Sequence, residues 1–301
     1  MNNAIRLRQL ILGAVEHVPF YRQHWREAGV DLTRVGSAVH LEFLPVVRRA
    51  DLPADAPIDP QALKRRRWRF VRALMDVGYI PGERMMLITN SPHPRAASLI
   101  RWTYVDPQGG DSEVLATYAR TRPQVLYGPL SSLMALARRV LVSPEVKCRP
   151  KLVITTAGEL NDANRGLLES AFGAGVADFY ATSELGLVAY SIPGRRGYQL
   201  QSREFHVELL PVGDGSGLER LVVTDLADES MPLIRFDTGD RVRRDRSRPG
   251  APVVEIHGRA EEPRPTLLRP QPETVAQSPR PALFPRENTP EPHPLFAIRT
   301  G

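Results

Sequence analysis

The sequence predicts an α/β fold: a largely parallel sheet flanked by helices, then a smaller antiparallel β subdomain and a disordered, Pro-rich tail. Three observations predict it. Between residues 113 and 180, short apolar runs alternate with helical periods, the rhythm of parallel strands joined by crossover helices. After Gly186 the helical periods stop, and short strands flank Gly213-Asp214-Gly215-Ser216-Gly217, a hairpin signal. Beyond Arg259, ten prolines fall between Pro263 and Pro294 and no hydrophobic period survives, a composition that cannot bury enough apolar surface to fold.

Taken in order, residues 5–17 place Leu7, Leu10, Ile11, Ala14 and Val15 at helical spacing. Pro19 interrupts, and 20–28 reads as a second short helix closed by Gly29. With Phe20, Tyr21 and Trp25 this pair is either a cap on the main domain or a hydrophobic docking edge; the cap is the expectation. Residues 43–52 form a turn leading into a short helix, and 53–60, with three prolines and two aspartates, a loop. The helix expected over 61–77 carries Lys64, Arg65, Arg66, Arg67, Arg69 and Arg72 around Trp68. It buries Leu63, Phe70, Leu74 and Val77 and solvates its arginines, a reading preferred to a nucleic-acid face. A turn at 79–83, a buried strand at 85–89 and a polar loop at 89–95 follow, and 100–104 resumes apolar structure. Helices at 113–120, 131–141 and 160–172 then alternate with strands at 124–127, 152–155 and 176–180, with Asn161 or Asp162 capping the last helix. Strands at 205–210, 220–224, 233–236, 240–243 and 253–257 build a small barrel or twisted sheet.

Composition excludes several classes. At 301 residues one or two domains are expected. No apolar run approaches the ~20 residues of a membrane span, so no membrane partner is expected. Residues 1–12 carry Arg6 and Arg8 but no cleavage-type signal, which points to the cytoplasm. A lone Cys148 rules out a disulfide framework or a cysteine zinc site. The net charge of +6 suits an anionic ligand.

In parallel sheets the ligand crevice lies at the carboxyl ends of the strands. The turns there are Tyr127-Gly128-Pro129, Thr155-Thr156-Ala157-Gly158-Glu159 and Tyr180-Ala181-Thr182-Ser183-Glu184-Leu185-Gly186. The last joins an aromatic ring that can stack a base, hydroxyls for a phosphate and a carboxylate for Mg²⁺. Two further polar turns follow, Arg235-Phe236-Asp237-Thr238-Gly239-Asp240 and His257-Gly258-Arg259.

These turns, in this order, resemble the acyl-adenylate-forming (ANL) superfamily, nearest its phenylacetate–CoA ligase and capsule-cluster branch. Met231-Pro232-Leu233-Ile234-Arg235-Phe236-Asp237-Thr238-Gly239-Asp240 is similar to that branch's MPL-(I/L)-R-(Y/F)-x-TGD phrase, as are Phe20-Tyr21 and Leu44-Pro45-Val46. The resemblance covers residues 5–261. It implies activation of an aryl or acyl carboxylic acid with ATP to an acyl-AMP, then transfer to coenzyme A. Carried over, Tyr180 stacks on adenine, Ser183 contacts the α-phosphate and Glu184 binds Mg²⁺, making Ser183 and Glu184 the catalytic pair. Asp240 accepts from the ribose hydroxyls, Arg259 reaches ribose or phosphate, and Thr156, Ala157, Gly158 and Glu159 line the adenine and acyl pocket, Gly158 by close backbone approach. Tyr127 and Gly128 border the acyl site. The implied domains are a helical cap (1–60), an α/β nucleotide-binding core (61–190), an antiparallel β subdomain (191–261) and the tail (262–301).

Two departures stand against that pattern. The family's (S/T)SG(S/T)(S/T)G phosphate loop, whose backbone N–H groups cradle the distal phosphates, has no counterpart; only residues 53–61 lie where it is expected. The C-terminal domain with its adenylation lysine also has no counterpart, and the last lysine is Lys151. The alternative expectation is therefore a degenerate relative that binds AMP or an acyl-adenylate, as a partner or scaffold; for an active enzyme, a separate C-terminal domain protein is the candidate partner.

Overall fold

The structure is a computed structural model that describes residues 3–33, 35, 41–53, 60–89, 101–228, 231–244 and 253–259. The predicted tail, the loop at 54–59 and the polar loop after Thr89 lie outside the described residues. Two N-terminal helices, α1 (Asn3–His17) and α2 (Pro19–Glu27), precede 3₁₀ turns at Leu41–Phe43 and Arg49–Asp51 and helix α3 (Pro60–Asp76). Then come β1 (Arg84–Ile88), β2 (Arg101–Val105), α4 (Asp111–Thr121), β3 (Val125–Pro129), α5 (Leu130–Leu141), β4 (Leu152–Thr156), α6 (Asp162–Phe172) and β5 (Gly175–Thr182). The chain continues as β6 (Gly186–Tyr190), β7 (Tyr198–Leu200), β8 (Phe205–Pro211), β9 (Glu219–Asp225), β10 (Phe236–Arg244) and β11 (Val253–Arg259). Among the described residues no helix is long and apolar enough to cross a membrane.

These eleven strands form one sheet in the order β2-β1-β3-β4-β5-β6-β7-β11-β10-β9-β8. Pairing is parallel from β2 to β5 and antiparallel from β5 onward, so the antiparallel half continues the parallel half edge to edge. The predicted alternation is a sheet covered on both faces. Met86, Ile88, Leu126, Val153 and Val176 pack under α4, α5 and α6. Met85, Leu87, Val125, Ile154, Ala177 and Phe179 pack against Phe70 and Leu74 of α3. Side chains of successive strand residues point to opposite faces, which is why these strands read as unbroken apolar runs.

The N-terminal helices cover the antiparallel half. Leu10, Ile11, Ala14, Tyr21 and Trp25 share a core with Leu221, Val223, Ile234 and Phe236, so they are a cap and not a docking edge. Pro19 opens α2 at its first turn, where a missing N–H costs nothing. Asn161 caps α6, its side chain accepting from the Asn164 N–H.

The sequence reading differs from the structure in three places. Residues 233–235 are not strand: the Ile234 N–H donates to the Tyr21 hydroxyl at 2.9 Å, Arg235 sits at φ 53°, and a single strand starts at Phe236. The short strand β7 carries too few residues to show a period. The arginines of α3 are not all solvated: Arg69 is buried against Asp225, and Arg66, 15% exposed, lies 3.9 Å from Asp228. Leu63's side chain lies outside the described residues.

Candidate functional site

A cleft of about 800 Å³ opens where the parallel half meets the antiparallel half, within the range of small-molecule sites. One wall is the turn after β4, with Ala157, Gly158 and Glu159, and the end of β5, Tyr180 to Thr182; the other is Asp240 of β10 and Glu255 to Gly258 of β11. Gly194 to Tyr198 and Arg165 close the floor and rim.

Local structure explains these placements. Ala157 adopts φ 52°, a left-handed conformation that turns the chain sharply off β4. A Cβ on Gly158 would meet Leu130 Cβ at 2.9 Å, so the close approach this glycine serves is to the start of α5. A register shift between Tyr180 and Ala181 marks an irregularity in the β5–β6 ladder, a device that re-aims side chains beside sites. In β10, Gly239 at φ 80° and the Asp237 side chain accepting from the Gly239 N–H bend the strand, and the Thr238 hydroxyl accepts from the Asp240 N–H at 3.2 Å.

Tyr180 and Asp240 meet directly, the tyrosine hydroxyl donating to Asp240 Oδ2. Arg259 is the cross-strand partner of Asp240; its side chain lies outside the described residues. Thr156 ends β4 with its hydroxyl donating to the Phe179 carbonyl at 3.1 Å, so it braces two strands behind the wall. Tyr127 and Gly128 do not line this cleft. The Tyr127 ring packs edge-on to Phe70 and Phe179, and a Cβ on Gly128 would meet Ile88 Cβ at 2.9 Å.

Ser183 and Glu184 continue the chain just past the cleft-lining residues. Both contact Arg49: its Nη2 donates to Ser183 Oγ at 2.7 Å and pairs with the Glu184 carboxylate. Arg49 carries no sequence signal; its neighbours read as an ordinary turn. Its position comes from Arg235, which grips both oxygens of Glu208 at 3.0 and 2.8 Å and donates to the Glu42 and Leu44 carbonyls. Backbone bonds between Val47 and both Arg235 and Asp237 complete the seam. This contact seats Leu44-Pro45-Val46 against the Met231–Asp240 segment.

Sequence reasoning also missed Asp178. This buried carboxylate accepts from the hydroxyls of Thr155 and Tyr198, and its backbone N–H donates to Ser191 Oγ. Burial pushes its pKa up from the ordinary carboxylate value, against the lowering effect of those hydroxyls and of Arg165. Burial, and then the Asp178 charge, pushes the Tyr198 phenol up as well. A raised native pKa means the folded state binds more protons than the unfolded state, so the stability Asp178 contributes is present below its unfolded pKa, near about 3.9, and is lost as pH rises through its native value. Carboxyl ¹³C shifts should therefore show Asp178 titrating above the ordinary range. In urea unfolding, stability should fall less steeply with pH across that window for Asp178→Asn than for wild type; a midpoint at or below the ordinary value removes this account.

The fold is similar to that of solved acid–CoA ligases. No protein-family model matches the chain. In sequence it is similar to the phenylacetate–coenzyme A ligase of Thermus thermophilus, 25% identical over 282 residues, covering 78% of this chain and 63% of the relative. In structure it is similar to 2-hydroxyisobutyryl-CoA ligase in an open conformation with 2-HIB-AMP and CoA. There the TM-score is 0.69 at 18% identity, over 86% of this chain and 69% of that one. The same ligase in its thioesterification state gives a TM-score of 0.66 at 20% identity, over 85% of this chain and 67% of that one. The chain thus spans less than two thirds of the length of its curated relative.

Proposed function

We propose that this chain binds an adenine nucleotide in the cleft and activates a small carboxylic acid as its acyl-adenylate, for transfer to coenzyme A. The observation that carries this reading is the convergence of Gly158, Glu159, Tyr180, Asp240 and Gly258, distant in sequence, on one cleft. In it the Tyr180 ring offers a stacking face for adenine and Asp240 a carboxylate for the ribose hydroxyls. The chemistry asks mainly for positioning and neutralised charge at phosphorus. The similarity to phenylacetate–coenzyme A ligase supports the acid–CoA ligase class, with ATP, AMP and coenzyme A as ligands and a separate C-terminal domain protein as a candidate partner.

Mg²⁺ is implied by the same class, with Glu184 as its ligand. The residues present fit it poorly. The Glu184 carboxylate is already paired with the Arg49 guanidinium, so its charge is met before any cation arrives.

That pairing favours a second reading, in which the chain holds AMP or an acyl-adenylate without making it. Two measurements separate the readings. Catalysis predicts acid-dependent exchange of labelled pyrophosphate into ATP, and no exchange across a panel of aryl and acyl acids counts against it. The binding-only reading predicts that AMP and ATP bind alike in calorimetry; ATP binding more than about tenfold tighter, about 1.4 kcal/mol, counts against it.

A further inference from the structure

We propose that the guanidinium of Arg49 stands in place of the divalent cation, so that the site takes the phosphate of a nucleoside monophosphate or acyl-adenylate without metal. The inference rests on the nucleotide reading of the cleft and names what meets the phosphate there.

Four observations carry it. Ser183 and Glu184, the residues expected to serve phosphate and metal, follow directly on Thr182 at the cleft wall, and Arg49 engages both. The Glu184 side chain is only 15% exposed, whereas that of Arg49 is 55% exposed. The carboxylate is therefore paired and largely covered, while the guanidinium stays more than half open to solvent. Among the described residues only Nη2 of Arg49 engages protein, and a guanidinium carries five N–H donors in a fork matched to phosphate oxygens. Finally, Arg49 is held in place. The Arg48 N–H donates to Asp51 Oδ2 at 2.7 Å, closing the 3₁₀ turn, and the Arg235–Glu208 clamp fixes the segment before it.

The physical contrast with a metal is direct. Mg²⁺ demands near-octahedral oxygen ligands and gives up its waters reluctantly. A carboxylate whose charge is already neutralised is a weak ligand for it, and the ion would meet a guanidinium at short range. Arg66 of α3, also within electrostatic reach of Glu184, adds to the positive field on this side.

Calorimetry on the full chain tests the proposal with adenosine and AMP, each in EDTA and in Mg²⁺. Wild-type affinity for AMP should change by less than about twofold between the two conditions. Arg49→Gln should weaken AMP by about tenfold or more while leaving adenosine unchanged, a split that a merely structural role would not produce. Glu184→Gln keeps the fold independent of the Arg49 change; it should bind AMP at least as well as wild type, still without metal. AMP binding that requires Mg²⁺ and is lost in Glu184→Gln overturns the proposal, as does Arg49→Gln binding AMP like wild type. Wild-type binding of adenosine with no gain for AMP overturns it too, while the adenosine cleft stands. Failure of both ligands removes the nucleotide reading and this inference together.

Discussion

Arg69→Met is expected to cost about 3–5 kcal/mol of folding free energy, the range for stripping one partner from a buried ion pair. Arg69 and Asp225 are 2% and 1% exposed in their side chains and lie 3.1 Å apart. The guanidinium also stacks over the Phe205 ring, 4.5 Å from its centre, and Asp225 Oδ1 accepts from the Ala227 N–H. The substitution leaves the buried carboxylate without its ion-pair partner, Arg66 being a remaining cation within electrostatic reach. Domains of ordinary stability hold only about 5–15 kcal/mol, so much of the folding margin goes. The pair ties α3, which covers the parallel half, to the last strand residue of β9 in the antiparallel half. Urea unfolding checks it. Arg69→Met with Asp225→Asn removes both charges, keeps an acceptor for Ala227 and should recover much of the loss. A single variant within about 1 kcal/mol of wild type would show that water reaches the pair.

Asp240→Ala is expected to weaken AMP by at least about a hundredfold, the lower end of what losing two hydrogen bonds to a charged acceptor at about 1.5–3 kcal/mol each implies. The Tyr180 hydroxyl donates to Asp240 Oδ2, and a carboxylate offers about four lone-pair positions. The control is the ligand. Wild type should discriminate against 2′,3′-dideoxy-AMP, and Asp240→Ala should not. Tyr180→Phe removes the brace on Asp240 and keeps the ring, so its loss should be smaller. Equal affinity of wild type for AMP and its dideoxy analogue would falsify the ribose role.

Much of the fold was legible because its determinants are local. The helices α4, α5 and α6 and the strands β3, β4 and β5 follow from apolar spacing and from caps within a few residues. The Tyr180 and Asp240 positions were legible too, through resemblance of their turns. What stayed hidden were interactions in which charge is buried by partners far along the chain. A run of cations on α3 reads as a solvated face, and nothing near Arg69 announces Asp225. Asp178 reads as one polar residue in a strand until Thr155 and Tyr198 close on it. Arg235 looked like part of a ligand turn, yet its guanidinium is spent on Glu208 and on the carbonyls of residues 42 and 44.

By itself the amino-acid order determined the alternation of strands and helices, the switch to antiparallel pairing after Gly186, and which turns stand at the strand ends. Those features depend on periods and turn chemistry that act over a few residues. Only the tertiary structure decided that Glu184 is met by Arg49 and that α3 is pinned through a buried ion pair. Electrostatic partners are chosen by distance in space, and packing the sheet is what sets that distance.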